Sequence, residues 1–148
     1  MPHFGLMDAQ ALGPEAAALQ QAKLHIRGGR RRLKQGKVAA GIVTLYDALL
    51  SAMQWYIFSP GRRKSLRIGE GEDLRDDKVV YAVLTRSGVL DGSFDYEAFD
   101  RLVERALYEE LHEYDYGETL KGIESVMTRL GVMPFDENEL PPEDPATF

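Results

Sequence analysis

The sequence of 148 residues contains no cysteine. Disulfide bonds, thiolate metal sites and cysteine nucleophiles are therefore excluded. A chain without cysteine is typical of the reducing cytoplasm, and we expect a cytoplasmic protein. The first twenty residues also lack a basic start followed by an apolar core, so no secretory signal is predicted.

The chain lacks the short motifs of several common enzyme classes. It has no glycine-rich phosphate-binding loop, no serine–histidine–aspartate arrangement and no zinc-ligand spacing. Glu109 and His112 form a Glu-x-x-His pair, the spacing used by dimetal sites in helical bundles. Such sites need two of these pairs on inward faces, and this chain has one. We therefore expect no metal site and no cofactor.

The composition that is present is that of a folded globular domain, with 44% hydrophobic and 28% charged residues. Residues 38–58 form an apolar stretch that is long enough to span a bilayer. Asp47 lies near its middle, where a charged residue costs about 2.5–3.5 kcal/mol on insertion. We therefore expect a central core helix and no membrane segment. Asp47 should be paired, either with an arginine of the first helix or with a neighbouring hydroxyl.

Hydrophobic spacing predicts an all-α fold, a single-domain antiparallel bundle of about five helices. The predicted helices cover residues 14–35, 37–58, 76–86, 93–113 and 115–131, and glycine or proline follows most of them. Gly28 and Gly29 predict a kink or a close helix contact within the first helix. Residues 59–73 are predicted to form an exposed loop. We assign residues 1–133 to the bundle and residues 134–148 to an acidic, proline-rich, extended tail.

Charge is divided unevenly along the chain. Residues 1–69 carry a net charge of +8, and residues 70–148 carry −14. The basic residues that would contact a phosphate-rich partner are Arg30, Arg31, Arg62, Arg63 and Lys64. In the alternative, the basic part pairs with the acidic part, within the fold or across a dimer. We favour this alternative because the whole chain carries −6 and would repel nucleic acid at long range.

Arg105 and His112 are seven residues apart in the predicted fourth helix. This spacing places them two turns apart on one face, opposite the apolar stripe and exposed in the monomer. We expect them either to be solvated or to line a groove formed with a second copy.

Residues 21–58 (QAKLHIRGGRRRLKQGKVAAGIVTLYDALLSAMQWYIF) form a helix, a lysine–glycine turn and an alanine-rich helix. This run resembles the first helix pair of HEPN domains, which are small helical bundles. Arg105-x6-His112 is similar to the arginine–x4–6–histidine motif of HEPN ribonucleases. The resemblance implies cleavage of RNA without metal, in a cleft formed by two copies. Family ribonucleases usually place a polar residue directly after the arginine, and this chain has Ala106.

Two classes of function follow. The favoured one is a noncatalytic, HEPN-like helical module that forms a homodimer or binds a protein partner through aromatic anchors such as Trp55 and Tyr108. The alternative is a metal-independent endoribonuclease acting across a dimer cleft. In it His112 transfers the proton of the RNA 2′-hydroxyl and Arg105 stabilises the phosphate charge. A nucleic-acid partner is not favoured, because four glutamates lie close to the pair in sequence.

Overall fold

The computed structural model describes residues 13–147. Within this range the chain forms six α-helices and two short 3₁₀ turns, with no strand, which confirms the predicted all-α bundle. The helices are α1 Pro14–Lys34, α2 Val38–Phe58, α3 Pro60–Arg63, α4 Asp77–Arg86, α5 Tyr96–Ala106 and α6 Gly117–Leu130. The 3₁₀ turns are Glu137–Glu139 and Pro145–Thr147.

The central element is α2, against which α1, α3, α4, α5 and α6 all pack. Its residues Ile42, Leu45, Ala48 and Leu49 have no solvent exposure. A helix that is apolar around most of its circumference needs neighbours on every side. In the described part of the chain, Val38–Phe58 is the one helix long and apolar enough to cross a membrane, and 56% of its apolar 18-residue stretch is buried within the protein. Buried core helices meet the same length and hydropathy criteria.

Glycines allow α1 and α2 to approach closely. A Cβ atom added at Gly29 would lie 2.9 Å from Leu45 Cδ2. A Cβ atom added at Gly41 would lie 2.6 Å from Leu33 Cδ2 and 3.1 Å from the Leu33 backbone nitrogen. Both leucines are buried, at 0% and 2% exposure. The close contact predicted from the glycine pair in α1 is confirmed, and α1 continues through it as one helix.

An aromatic cluster joins α4 and α5. The Tyr81 hydroxyl donates a hydrogen bond to the Phe94 carbonyl oxygen at 2.7 Å, and the Tyr81 ring lies 4.9 Å from the Tyr96 ring. Asp95 caps α5 by accepting a hydrogen bond from the Ala98 backbone nitrogen at 2.9 Å. This cap fixes the start of α5.

The fourth predicted helix is shorter than expected, because α5 ends at Ala106 rather than near residue 113. If the helix continued, Glu110 would occupy the next position of the apolar stripe, where its charge would be buried. Instead the chain leaves the helix, Glu110 is exposed, and Leu111 is buried at 8% exposure with a φ of 58°. This left-handed conformation costs about 1–2 kcal/mol, and burial of a leucine side chain offsets it by about 1.5–3 kcal/mol.

Two further segments differ from the prediction. The loop of residues 59–73 contains the short helix α3, which Ser59 caps by accepting a hydrogen bond from the Arg62 backbone nitrogen. The tail was predicted to be extended, but it forms the two 3₁₀ turns and lies against α1. Proline and aspartate at the starts of these turns are typical of such short helical segments.

We predict that Gly41→Ala lowers the free energy of unfolding by about 1 kcal/mol. Overpacking against Leu33 costs about 1–3 kcal/mol, and the gain in helix propensity returns only about 1 kcal/mol. Gly28→Ala is the matched control, since its added Cβ meets first the flexible end of Arg32, at 3.3 Å. Urea denaturation of both variants should show a loss for Gly41→Ala alone. Equal stability of the two variants would contradict the close-packed contact.

Candidate functional site

Arg105 and His112 do not share a helix in the structure. Arg105 lies in the last turn of α5, while His112 lies in the turn that follows the buried Leu111. The Arg105 guanidinium pairs with Glu109 at 3.2 Å, and His112 Nε2 contacts a Glu110 carboxylate oxygen. The hydrogen bond from Arg105 lowers the pKa of the Glu109 carboxyl, and the same bond raises the pKa of Arg105. Both predicted site residues are exposed, each beside its own glutamate.

Arg30 and Arg31 lie in α1 together with Arg27, and all three side chains are partly buried. We call Arg27, Arg30 and Arg31 the α1 arginine row. Arg30 Nε donates to Glu124 of α6 at 2.7 Å, and its Nη1 lies 3.4 Å from Glu137. Arg31 Nε donates to Glu143 at 2.9 Å. These two arginines of the basic half therefore contact carboxylates of the acidic half within the same chain.

The Arg62 side chain packs against α2 and the start of α1. Its guanidinium stacks over the Trp55 ring at 3.9 Å, donates to the Trp55 carbonyl oxygen and pairs with Glu15 at 2.7 Å. Arg63 and Lys64 are exposed. Since Glu15 and Arg30 are separated by about 22 Å along α1, the two basic groups predicted from the sequence lie at opposite ends of that helix. The structure does not bring them into one patch.

A groove of about 740 Å³ lies between α5 and α6. It forms because both helices pack on α2 and make few contacts with each other. Phe94, Phe99 and Leu102 supply apolar lining. Arg101, Arg105 and Lys121 supply positive charge, and Asp95 and Glu118 supply negative charge. The groove is large enough for side chains of another protein, and Arg105 is the one residue of the predicted pair that lines it.

A second depression was not predicted from the sequence. It has a volume of about 450 Å³ and lies between α1 and α2 beside Ala106. His25, Arg32, Thr44 and Asp47 line it, and we call these four residues the polar concavity. His25 and Thr44 are each only 8% exposed. The sequence pointed only to Asp47 within the apolar stretch of α2. His25 and Arg32 come beside it only through the packing of α1 on α2.

Arg32 is the charged centre of the polar concavity. It donates from Nη1 to the Thr44 hydroxyl at 3.0 Å, and that hydroxyl donates to the Ala40 carbonyl oxygen at 2.8 Å. Burial lowers the pKa of Arg32, and repulsion from Arg31 adds to this effect. Glu143 and Asp47 act in the opposite direction by attracting the guanidinium charge. Asp47 therefore interacts electrostatically with an arginine of the first helix.

Among residues 13–147, no group of three or more histidine or acidic side chains is arranged to hold a metal ion. Glu109 lies with Arg105, and His112 lies with Glu110, so the Glu-x-x-His pair does not converge on one point. His3 lies outside the described residues.

Comparison with known proteins finds no family model, no curated protein and no solved structure that matches this chain.

We predict that Asp47→Leu lowers the free energy of unfolding by about 1 kcal/mol, more than the roughly 0.5 kcal/mol typical of surface changes. The reason is that the half-buried guanidinium of Arg32 loses an attracting charge. Glu104→Leu is the matched control, because Glu104 lies on the exposed face of α5. Chemical denaturation that shows Asp47→Leu to be neutral or stabilising would contradict this interaction.

Proposed function

We propose that this chain is a noncatalytic, HEPN-like helical module that forms a homodimer through the face around the α5–α6 groove. The main support is a pair of large apolar side chains in solvent beside that groove. Leu107 is 61% exposed and Tyr108 is 87% exposed. They follow Arg105, which lines the groove, by two and three residues. Tyrosine at the centre of an interface is a common source of binding energy.

Charge around the groove also supports self-association. In a two-fold symmetric dimer the same surface contacts itself, so that surface has to be self-complementary. Arg101 and Lys121 at the groove can face Asp95 and Glu118 of a second copy. A surface carrying a single sign of charge would repel its own copy.

The noncatalytic part of the proposal is supported by the groove's chemistry. Among the described residues that line the groove, no histidine lies beside the serine, threonine and tyrosine hydroxyls to act as a general base. The Tyr114 and Thr119 hydroxyls are hydrogen-bonded to each other at 2.6 Å. The lining is suited to contact with a protein surface rather than to proton transfer.

Sedimentation across the micromolar range tests the dimer. We expect the wild-type chain to dimerise and the Leu107→Ser/Tyr108→Ser variant to be monomeric, because the variant removes the exposed apolar pair. Ile68→Ser is the matched control, since Ile68 is also an exposed apolar residue, at 38%. A wild-type monomer at all concentrations would contradict the proposal, and so would equal loss of the dimer in the control.

The alternative is a metal-independent endoribonuclease that uses Arg105 and His112 across a dimer cleft. It has less support, because each residue is paired with a glutamate and a catalytic pair would have to exchange these partners. We expect purified protein to leave single-stranded RNA intact in the presence of a chelator. Cleavage by the wild type that is lost in both Arg105→Ala and His112→Ala would reverse this order of preference.

A further inference from the structure

The C-terminal tail contacts the α1 arginine row through several side chains and one backbone carbonyl. Residues 134–147 contain five acidic residues, four prolines and no basic residue. The Phe135 ring lies 5.6 Å from Lys23 Nζ, and Glu137 lies 3.4 Å from Arg30 Nη1. Further along the tail, the Pro141 carbonyl oxygen and the Glu143 carboxylate accept hydrogen bonds from the α1 arginine row.

The spacing of the cations explains this fit. Lys23, Arg27 and Arg31 follow each other at four-residue intervals, so they form one line along α1, with Arg30 beside it. The tail meets Lys23 with an aromatic ring, Arg30 with a carboxylate, Arg27 with a backbone carbonyl and Arg31 with a second carboxylate. Glu137 and Glu143 both contact the α1 arginine row, and they are six residues apart.

The tail leaves one hydrogen-bond donor of the α1 arginine row unsatisfied. Within the described residues, the Nε atom of Arg27 is buried and has no hydrogen-bond partner. Its nearest carboxylate oxygen, Glu143 Oε1, is 3.9 Å away. The contacts of Arg30 and Glu137 with each other are also partly exposed, at 24% and 48%. Partly exposed ion pairs are individually weak and are readily exchanged.

We propose that the α1 arginine row is a docking surface for an acidic, proline-containing segment of a protein partner, and that the chain's own tail occupies it in competition with that partner. Charge complementarity and the seated tail define what the surface accepts: a peptide that follows the path of the tail and carries two carboxylates six residues apart, as Glu137 and Glu143 are. A tethered tail acts at an effective concentration of about millimolar, so a free peptide has to compete with it. The proposal does not depend on dimerisation through the α5–α6 groove.

Fluorescence anisotropy with a labelled synthetic peptide of residues 134–147 tests this proposal on the full-length chain. Glu137→Gln/Glu143→Gln in the protein weakens the tethered tail and leaves the α1 arginine row unchanged. We expect this variant to bind the wild-type peptide at least about tenfold more tightly than the wild-type protein does, because the competitor is weakened. Glu70→Gln/Glu139→Gln is the matched control; it removes the same charge at two exposed positions and should bind like the wild-type protein.

Specificity for the row is tested by one further substitution. Arg31→Gln, added to Glu137→Gln/Glu143→Gln, should abolish the gain, and a peptide carrying both glutamines should not bind. The proposal is overturned if the peptide fails to bind the Glu137→Gln/Glu143→Gln protein, or binds it equally well after Arg31→Gln. Tighter binding of a single-stranded RNA of similar length than of the peptide would also overturn it, and would assign the surface to phosphate instead.

Discussion

The close approach of α1 and α2 is the contact on which the rest of the structure depends. Gly29 and Gly41 let Leu45 and Leu33 pack directly against the opposing helix, where any Cβ atom would collide with them. Interiors are packed densely enough that such contacts fix the relative position of two helices. With α1 held on one side, α2 offers its remaining apolar surface to α4, α5 and α6. These helices are arranged around α2 rather than around each other, which leaves the α5–α6 groove open.

The same helix pair explains how the chain's uneven charge is accommodated. One side of α1 is used by the contact with α2, and the cations of the other side meet acidic residues that are distant in sequence. Glu124 of α6 and Glu143 of the tail lie 94 and 112 residues away from the arginines that bond to them. Carboxylates of the acidic C-terminal half therefore pair with arginines of the basic N-terminal half within the fold. Arg32 lies between α2 and the tail, where Asp47 of α2 and Glu143 of the tail both attract its charge.

Local patterns in the sequence predict most of the helices. The periodicity and the flanking glycine and proline residues place α1, α2, α4 and α6 within about two residues of their observed bounds. Local patterns did not predict the end of α5. A longer helix would bury Glu110, whereas the observed chain buries Leu111, and tertiary packing determines which of the two occurs. A hint was present in the sequence: a charged residue stood at a position where the apolar stripe required a hydrophobic one.

The candidate sites were harder to predict than the helices. Spacing alone placed Arg105 and His112 on one helical face, and the placement was wrong because the helix between them ends. His25 and Arg32 come beside Thr44 and Asp47 only through the packing of α1 on α2. Long-range pairs such as Arg31 and Glu143 follow from the path of the tail, and a single sequence carries no signal for that path.

Hydrogen exchange of the intact chain, resolved along the sequence, tests the central role of the α1–α2 contact most directly. If this contact organises the fold, the slowest exchange should occur in α2 from Ile42 to Met53 and in the part of α1 around Gly29. The amides of α4 and of the tail should exchange faster, because these segments are added to that pair. The account would be contradicted if the amides of α2 exchanged as fast as those of α4. Faster exchange in α2 than in α5 and α6 would also contradict it.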